Sequence, residues 1–236
     1  MRGCLVSIAL LVTVAVLAGS TLLPRIVSAV AEGALGLAGF SGTGTTVQVI
    51  ADPPLKLLTL TADALRVHST NASFRGVLAR EVSLALHDVH LLDRSFGRID
   101  GSLRDVRFDS ANGAQIEVAN VQLSGTATDV RATLTLSATE VSQLAGAALR
   151  TAFGSAPGQL TLAAPDRLRA IVGGASVTSR LRVRGDGALV LLPPDSLASN
   201  EIPLIMPGPG APFRILSFQI VGGRLVLVAG FNPTSG

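Results

Sequence analysis

From residue 45 onward, apolar and polar positions alternate with a period of two, interrupted by Gly, Pro and Asn. The stretches "TTVQVI", "LRVHS", "REVSLAL", "GRIDGSL", "AQIEVAN", "RATLTLS", "GQLTLA", "ASVTSRLRVRG", "GALVLL", "FRILSFQIV" and "GRLVLVAGF" each read as a strand. So many strands joined by short turns predict a meandering, mainly antiparallel sheet rather than βαβ units.

One stretch breaks the alternation. In "LALHDVHLLD", residues 84–93, Leu84 and Leu86 alternate, and so do Val89 and Leu91, but the two sets are out of phase by one residue. A slip of one residue turns every side chain to the opposite face, so a flat strand cannot bury both sets. A β-bulge at His87-Asp88 restores the phase, turning Leu86, Val89 and Leu91 inward and both histidines outward. The same spacing, with Asp or Asn at the irregular position, recurs at Leu103, Asp105, Val106 and Phe108. It recurs again at Val118, Asn120, Val121 and Leu123, and more weakly in "ATDVRA" at 127–132.

His87, Asp88, His90 and Asp93 are metal-ligating residue types, and His68 is the only other imidazole. In the other copies of the unit, the two histidine positions hold Arg/Arg and Ala/Gln. Solvent-facing positions interchange in that way and ligands do not. No metal and no other cofactor is expected.

Two segments switch to helical spacing. Ser137 and Glu140 form an S-x-x-E capping box, after which Val141, Leu144, Ala145, Ala148, Leu149, Ala152 and Phe153 fall on one face and Gly154 closes the helix. Earlier, Ile26, Val27, Val30, Ala34, Leu35 and Leu37 form an apolar stripe that starts after Pro24 and stops at "GFSGTG". The predicted fold class is therefore α+β: a long, curled, mainly antiparallel meander sheet wrapped around two apolar helices.

Residues 4–23 carry no charge, and twenty helical residues span about 30 Å, the thickness of a bilayer core. Arg2 precedes the run, and the small residues of "LAGS" also suit a signal-peptide cleavage site. Residues 1–23 are thus expected to be a signal peptide or a membrane anchor, and 24–236 a single domain. That domain would lie in the cell envelope on the outer side of the cytoplasmic membrane, periplasmic or secreted. The one cysteine, Cys4, falls inside the apolar run, so packing rather than disulfides must hold the domain.

Composition narrows the function. Hydrophobic residues make up 48% of the chain and charged residues 15%, with eight Phe and neither Tyr nor Trp. Such an aliphatic interior suits a packed core or a cavity for acyl chains. It does not suit base stacking, and the net charge of +3 is scattered rather than clustered, so no nucleic acid is expected as a partner. There is no G-x-S-x-G elbow and no H-E-x-x-H, the glycine-rich "GFSGTGTT" lacks the lysine of a P-loop, and the glutamates are dispersed. No catalytic residue is assigned, and the chain is not expected to be an enzyme.

Two features suit a membrane surface. In "RLRVR", Arg180, Arg182 and Arg184 share one face of a strand, a stripe that fits lipid headgroups or a plain solvated face. In "EIPLIMPGPGAPF", Leu204, Ile205 and Met206 lie among prolines that oppose regular pairing, which fits a lid, a membrane-touching tip or a cap on the core.

The order of "VQVIADPPLKLLTLTADALRVHS", "REVSLALHDVHLL", "ATLTLSATEVSQLAGAAL", "GDGALVLLPP" and "FRILSFQIVGGRLVLVAGF" resembles that of the LmeA-like phospholipid-binding proteins of bacterial envelopes, whose fold is related to the tubular lipid-binding (TULIP) superfamily. The resemblance spans most of residues 45–231. It implies a curled sheet with an apolar groove for acyl chains, and no catalytic residue. The partners expected on this reading are a phospholipid or other acyl lipid and the membrane surface. Candidates to line the groove are Leu84, Leu86, Val89, Leu91, Leu144, Ala148, Leu149 and Phe153, with Leu204, Ile205 and Met206. The alternative is an envelope scaffold protein with a fully packed core and no ligand.

Overall fold

The computed structural model describes residues 40–74, 76–93, 95–109, 115–153, 158–172, 174–194, 201–207 and 213–231. The apolar run at 4–23 and the stripe at 26–37 lie outside the described residues. Six strands follow in sequence: β1 (Phe40–Ile50), β2 (Thr61–Phe74), β3 (Val77–His90), β4 (Arg98–Asp109), β5 (Gln115–Thr126) and β6 (Asp129–Leu136). They pair antiparallel, each with the next, as the alternation predicts. A 3-10 helix, Pro54–Thr59, links β1 to β2.

The chain then leaves this sheet for helix α1 (Ala138–Phe153) and a second set of strands. These are β7 (Leu160–Ala163), β8 (Arg167–Val172), β9 (Ala175–Val183), β10 (Leu189–Leu192) and β11 (Ile202–Ile205). It returns as β12 (Phe213–Val221) and β13 (Arg224–Phe231), with β13 beside β6. The result is an eight-stranded sheet, β1-β2-β3-β4-β5-β6-β13-β12, and a five-stranded one, β11-β10-β9-β8-β7. Gly222 and Gly223, with φ of 58° and 71°, make the two-residue turn between Val221 and Arg224 that such a hairpin requires.

The capping box forms as the sequence predicts: the Glu140 amide donates to Ser137 Oγ at 3.2 Å, and the Ser137 amide to Glu140 Oε2 at 2.6 Å. The apolar face of α1 packs against β7 and β11 of the small sheet and β5, β6 and β13 of the large one. Val141, Leu144, Ala145 and Leu149 join side chains from both sheets in one core. The expected wrapping of the sheet around two apolar helices is not what this arrangement shows. α1, the one α-helix among the described residues, lies between two sheets, because the small sheet supplies the apolar partner for its other side.

The phase slips bend the large sheet, but not as bulges. Along β2, β3, β4 and β5 the inward positions jump by three residues: Ser69 to Ala72, Ala79 to Val82, Leu103 to Val106 and Val118 to Val121. The jumps fall opposite one another, and the register is continuous through them, from Thr61↔His90 to Phe74↔Val77 and from Asp109↔Gln115 to Ile99↔Gly125. These partner strands slip together, so no residue is left over among them and β2 to β5 crease along one line. Asn71 and Asp105 on this line have φ of 48°, the left-handed region that Asn and Asp tolerate best.

Asp88, with φ of 52°, marks a second crease beside the first, and the bulge expected at His87-Asp88 is instead this register-preserving bend. The weaker copy at 127–132 is no bend at all: Thr126 pairs with Asp129, and Ala127-Thr128 form a hairpin turn. Phe40 to Gly44 form the irregular start of β1, shifting register on either side of Thr43, and the helix expected to end before them lies outside the described residues. One more expectation changes. The Pro-rich "IPLI" pairs with β10 as β11, because an edge strand tolerates the missing N–H of Pro203.

Candidate lipid-binding cavity

The creases and the twist coil the large sheet on itself. Phe108 on β4 and Phe213 on β12 meet edge to face, ring centroids 5.5 Å apart. Following the pairing across β5, β6 and β13 brings Phe213 level with Ile99, nine residues from Phe108 and four strands away. On a flat sheet the two positions would be roughly 35 Å apart.

Inside the coil is an apolar cavity of about 380 Å³. Its wall is the inward face of the large sheet: Phe40 of β1, Ala72 and Phe74 of β2, Val77, Ala79, Val82 and Leu84 of β3, and Leu103, Val106 and Phe108 of β4. Val121 and Leu123 of β5, Val130, Ala132 and Leu134 of β6, Phe213 and Ile215 of β12, and Leu227 and Ala229 of β13 complete it, with Ile205 from β11. Ser73 is the one polar residue of the lining among the described residues. Phe74, 38% exposed, marks where the cavity reaches solvent. Ala132 and Ala229 pair directly across β6 and β13, and two small side chains side by side on the inner face leave room there.

Of the residues expected to line a groove, the structure places two on the cavity, Leu84 and Ile205. Leu86, Val89 and Leu91 pack elsewhere, in a second cluster with Val47, Val49, Leu57, Ala62, Leu65 and Val67 beneath the 3-10 helix. Leu144, Leu149 and Leu204 are buried in the main core, with Ala148 packed against it, and Met206 is half-buried. The side chain of Phe153 lies outside the described residues. None of the described α1 side chains lines the cavity.

The cavity's chemistry follows from its lining. Among the described residues its wall carries no titratable group, and a long apolar chain is the ligand such a wall accommodates. At roughly 30 Å³ per water-sized group, 380 Å³ corresponds to about a dozen methylenes. Removing these from water contributes about 10 kcal/mol before the cost of association.

The histidines lie outside this site. His87 is half-exposed with its Nε2 3.7 Å from Asp100, His90 is exposed, and among the described residues no three His, Cys, Asp or Glu side chains gather as a metal set. The arginine stripe on β9 is divided by its partners. Arg182 pairs with Glu201, and Arg184 with Asp186 through its Nε at 2.9 Å, with Glu201 4.0 Å from its Nη1. The Arg184 guanidinium and the Ala188 amide hold the Asp186 carboxyl well below its ordinary range, at about 2. Arg180 has no carboxylate partner among the described residues.

No protein-family model matches the chain, and no curated protein or solved structure matches it.

Proposed function

We propose that this is a non-enzymatic lipid-binding protein of the cell envelope that takes a phospholipid acyl chain into the cavity of its coiled sheet. The observation that carries the reading is the lining: aliphatic and phenyl side chains on every side, one serine, and a volume in the roughly 300–1,000 Å³ range of ligand pockets. The resemblance to LmeA-like proteins and the uncharged run at residues 4–23 point the same way. A phospholipid fits better than a free apolar molecule, because the cavity opens beside Phe74 and would leave a headgroup in water.

Incubation of the delipidated protein with phospholipid vesicles, followed by separation and lipid analysis of the protein fraction, tests the reading. Lipid carried over with the protein is the expected result. A protein that emerges lipid-free supports the scaffold reading instead.

A further inference from the structure

Both sheets carry arginines without a carboxylate partner among the described residues, but Arg66, Arg214 and Arg224 of the large one stand apart, none opposite another arginine, whereas those of the small one are gathered on two neighbouring strands. Along β3 to β6 every arginine has a carboxylate partner: Arg80 with Asp105, Arg98 with Asp100, Arg104 with Glu81, Arg107 with Glu117 and Arg131 with Asp129. On β8 and β9, Arg167, Arg169 and Arg180 have none among the described residues, and Arg169 bonds only the hydroxyl of Ser176, at 2.7 Å. Arg167 and Arg180 are moreover directly paired across the two strands, which puts both on one face with their Cβ atoms about 5 Å apart. Like charges so placed oppose the pairing of β8 with β9 and lose that penalty when an anion sits over them. Arg169 is on the same face two residues along, as is Ile171, which is 41% exposed.

We propose that this face, Arg167, Arg169 and Arg180 with Ile171 beside them, docks the protein on an anionic lipid bilayer. A row of cations on an open strand surface matches an extended layer of charge better than one small anion, and the apolar Ile171 suits the boundary between headgroups and acyl chains. The choice of a bilayer over another anionic layer rests on the lipid-binding reading above, since a protein that loads acyl chains must meet the membrane that holds them. The β9 stripe legible in the sequence is thereby redrawn. Arg182 and Arg184 are occupied by Glu201 and Asp186, and the partners of Arg180 in this role are on β8.

The test is flotation of the full chain with phosphatidylcholine vesicles, with and without phosphatidylglycerol. Binding to the neutral vesicles measures what the apolar residues 4–23 contribute. For the phosphatidylglycerol-dependent part, each Arg→Gln substitution at 167, 169 or 180 is expected to weaken binding about fivefold, and the triple variant about a hundredfold. Added salt should weaken binding by the wild type but not by the triple variant. A charge-matched triple variant of the large sheet, R80Q/R104Q/R107Q, should bind as the wild type does. Equal loss in both triple variants, or no loss in the first, overturns the proposal, as does binding to a soluble polyanion without any to anionic vesicles. Fluorescent fatty-acid uptake in the absence of vesicles should be unchanged in the first triple variant. That readout separates failure of this surface from failure of the cavity reading.

Discussion

Replacing Ala132 with Leu separates an open cavity from a packed interior by sign as well as size. Ala132 is on the cavity wall, 2% exposed, directly opposite Ala229. Leucine adds three carbon groups, about 90 Å³ at roughly 30 Å³ each, or about a quarter of the 380 Å³ present. An acyl chain then loses about three methylene contacts, near 2.4 kcal/mol, so affinity for a fluorescent fatty acid should fall about 60-fold. The unliganded protein should move the other way. Filling about 90 Å³ of void at roughly 24 cal/mol per Å³ stabilises it by up to about 2 kcal/mol, a rise of about 4–8 °C in Tm for a chain of this size. Leu149→Ala is the contrasting case, because Leu149 is 3% exposed in the core away from the cavity. It should cost about 2–5 kcal/mol of stability and leave the affinity of the folded protein unchanged. The reasoning is refuted if Ala132→Leu lowers the Tm, as overpacking by about 1–3 kcal/mol would, while fatty-acid affinity stays as in the wild type.

Three further predictions concern the fold and its charges. At Asp105, φ of 48° should make Asp105→Gly nearly neutral while Asp105→Val costs about 1–2 kcal/mol in urea denaturation; equal stabilities would remove the crease argument. Glu140 caps α1 and also accepts the Ala119 amide at the crease, at 3.3 Å, so Glu140→Ala should cost about 1–2 kcal/mol, with amide exchange at Ala119 accelerated. Unchanged exchange there would show that the bond from crease to helix does not form in solution. Asp186 is held at about 2, below its ordinary 3.8, so its pairing with Arg184 favours the folded state above pH 3.8 and is lost as pH falls toward 2. An NMR carboxyl titration should find its midpoint near 2, and a midpoint near 3.8 would contradict the pairing.

The meander and the capping box were legible in the sequence because each leaves a local signature, alternation in one case and S-x-x-E in the other. The bends were legible too, since the slip between Leu86 and Val89 cannot fit a flat strand. Their form was not: whether a slip makes a bulge or a crease depends on whether the neighbouring strand slips opposite it, and "TNAS" around Asn71 gave no apolar cue. The small sheet's separate identity was hidden for a similar reason. Pro203 argued against pairing, and only the position of β11 at an edge makes that proline harmless.

The site was the least legible part. Alternation identifies which side chains face inward, so Leu84, Leu86, Val89 and Leu91 looked equivalent along one strand. The second cluster, closed by Leu57 of the 3-10 helix, fills the space before Leu86, Val89 and Leu91, while Leu84 sits between the two clusters and also reaches the cavity. Ala132 and Ala229 carry no signal of their own, since a small inward residue marks a void only once its neighbours across the coil are known.

Whether the coiled sheet holds a lipid, as proposed, is tested most directly by native mass spectrometry of the protein purified from the cells that make it. A mass addition matching about one phospholipid on most molecules, reduced in Ala132→Leu, is expected. A wild-type protein that is lipid-free as purified, and remains so after incubation with vesicles, would contradict it.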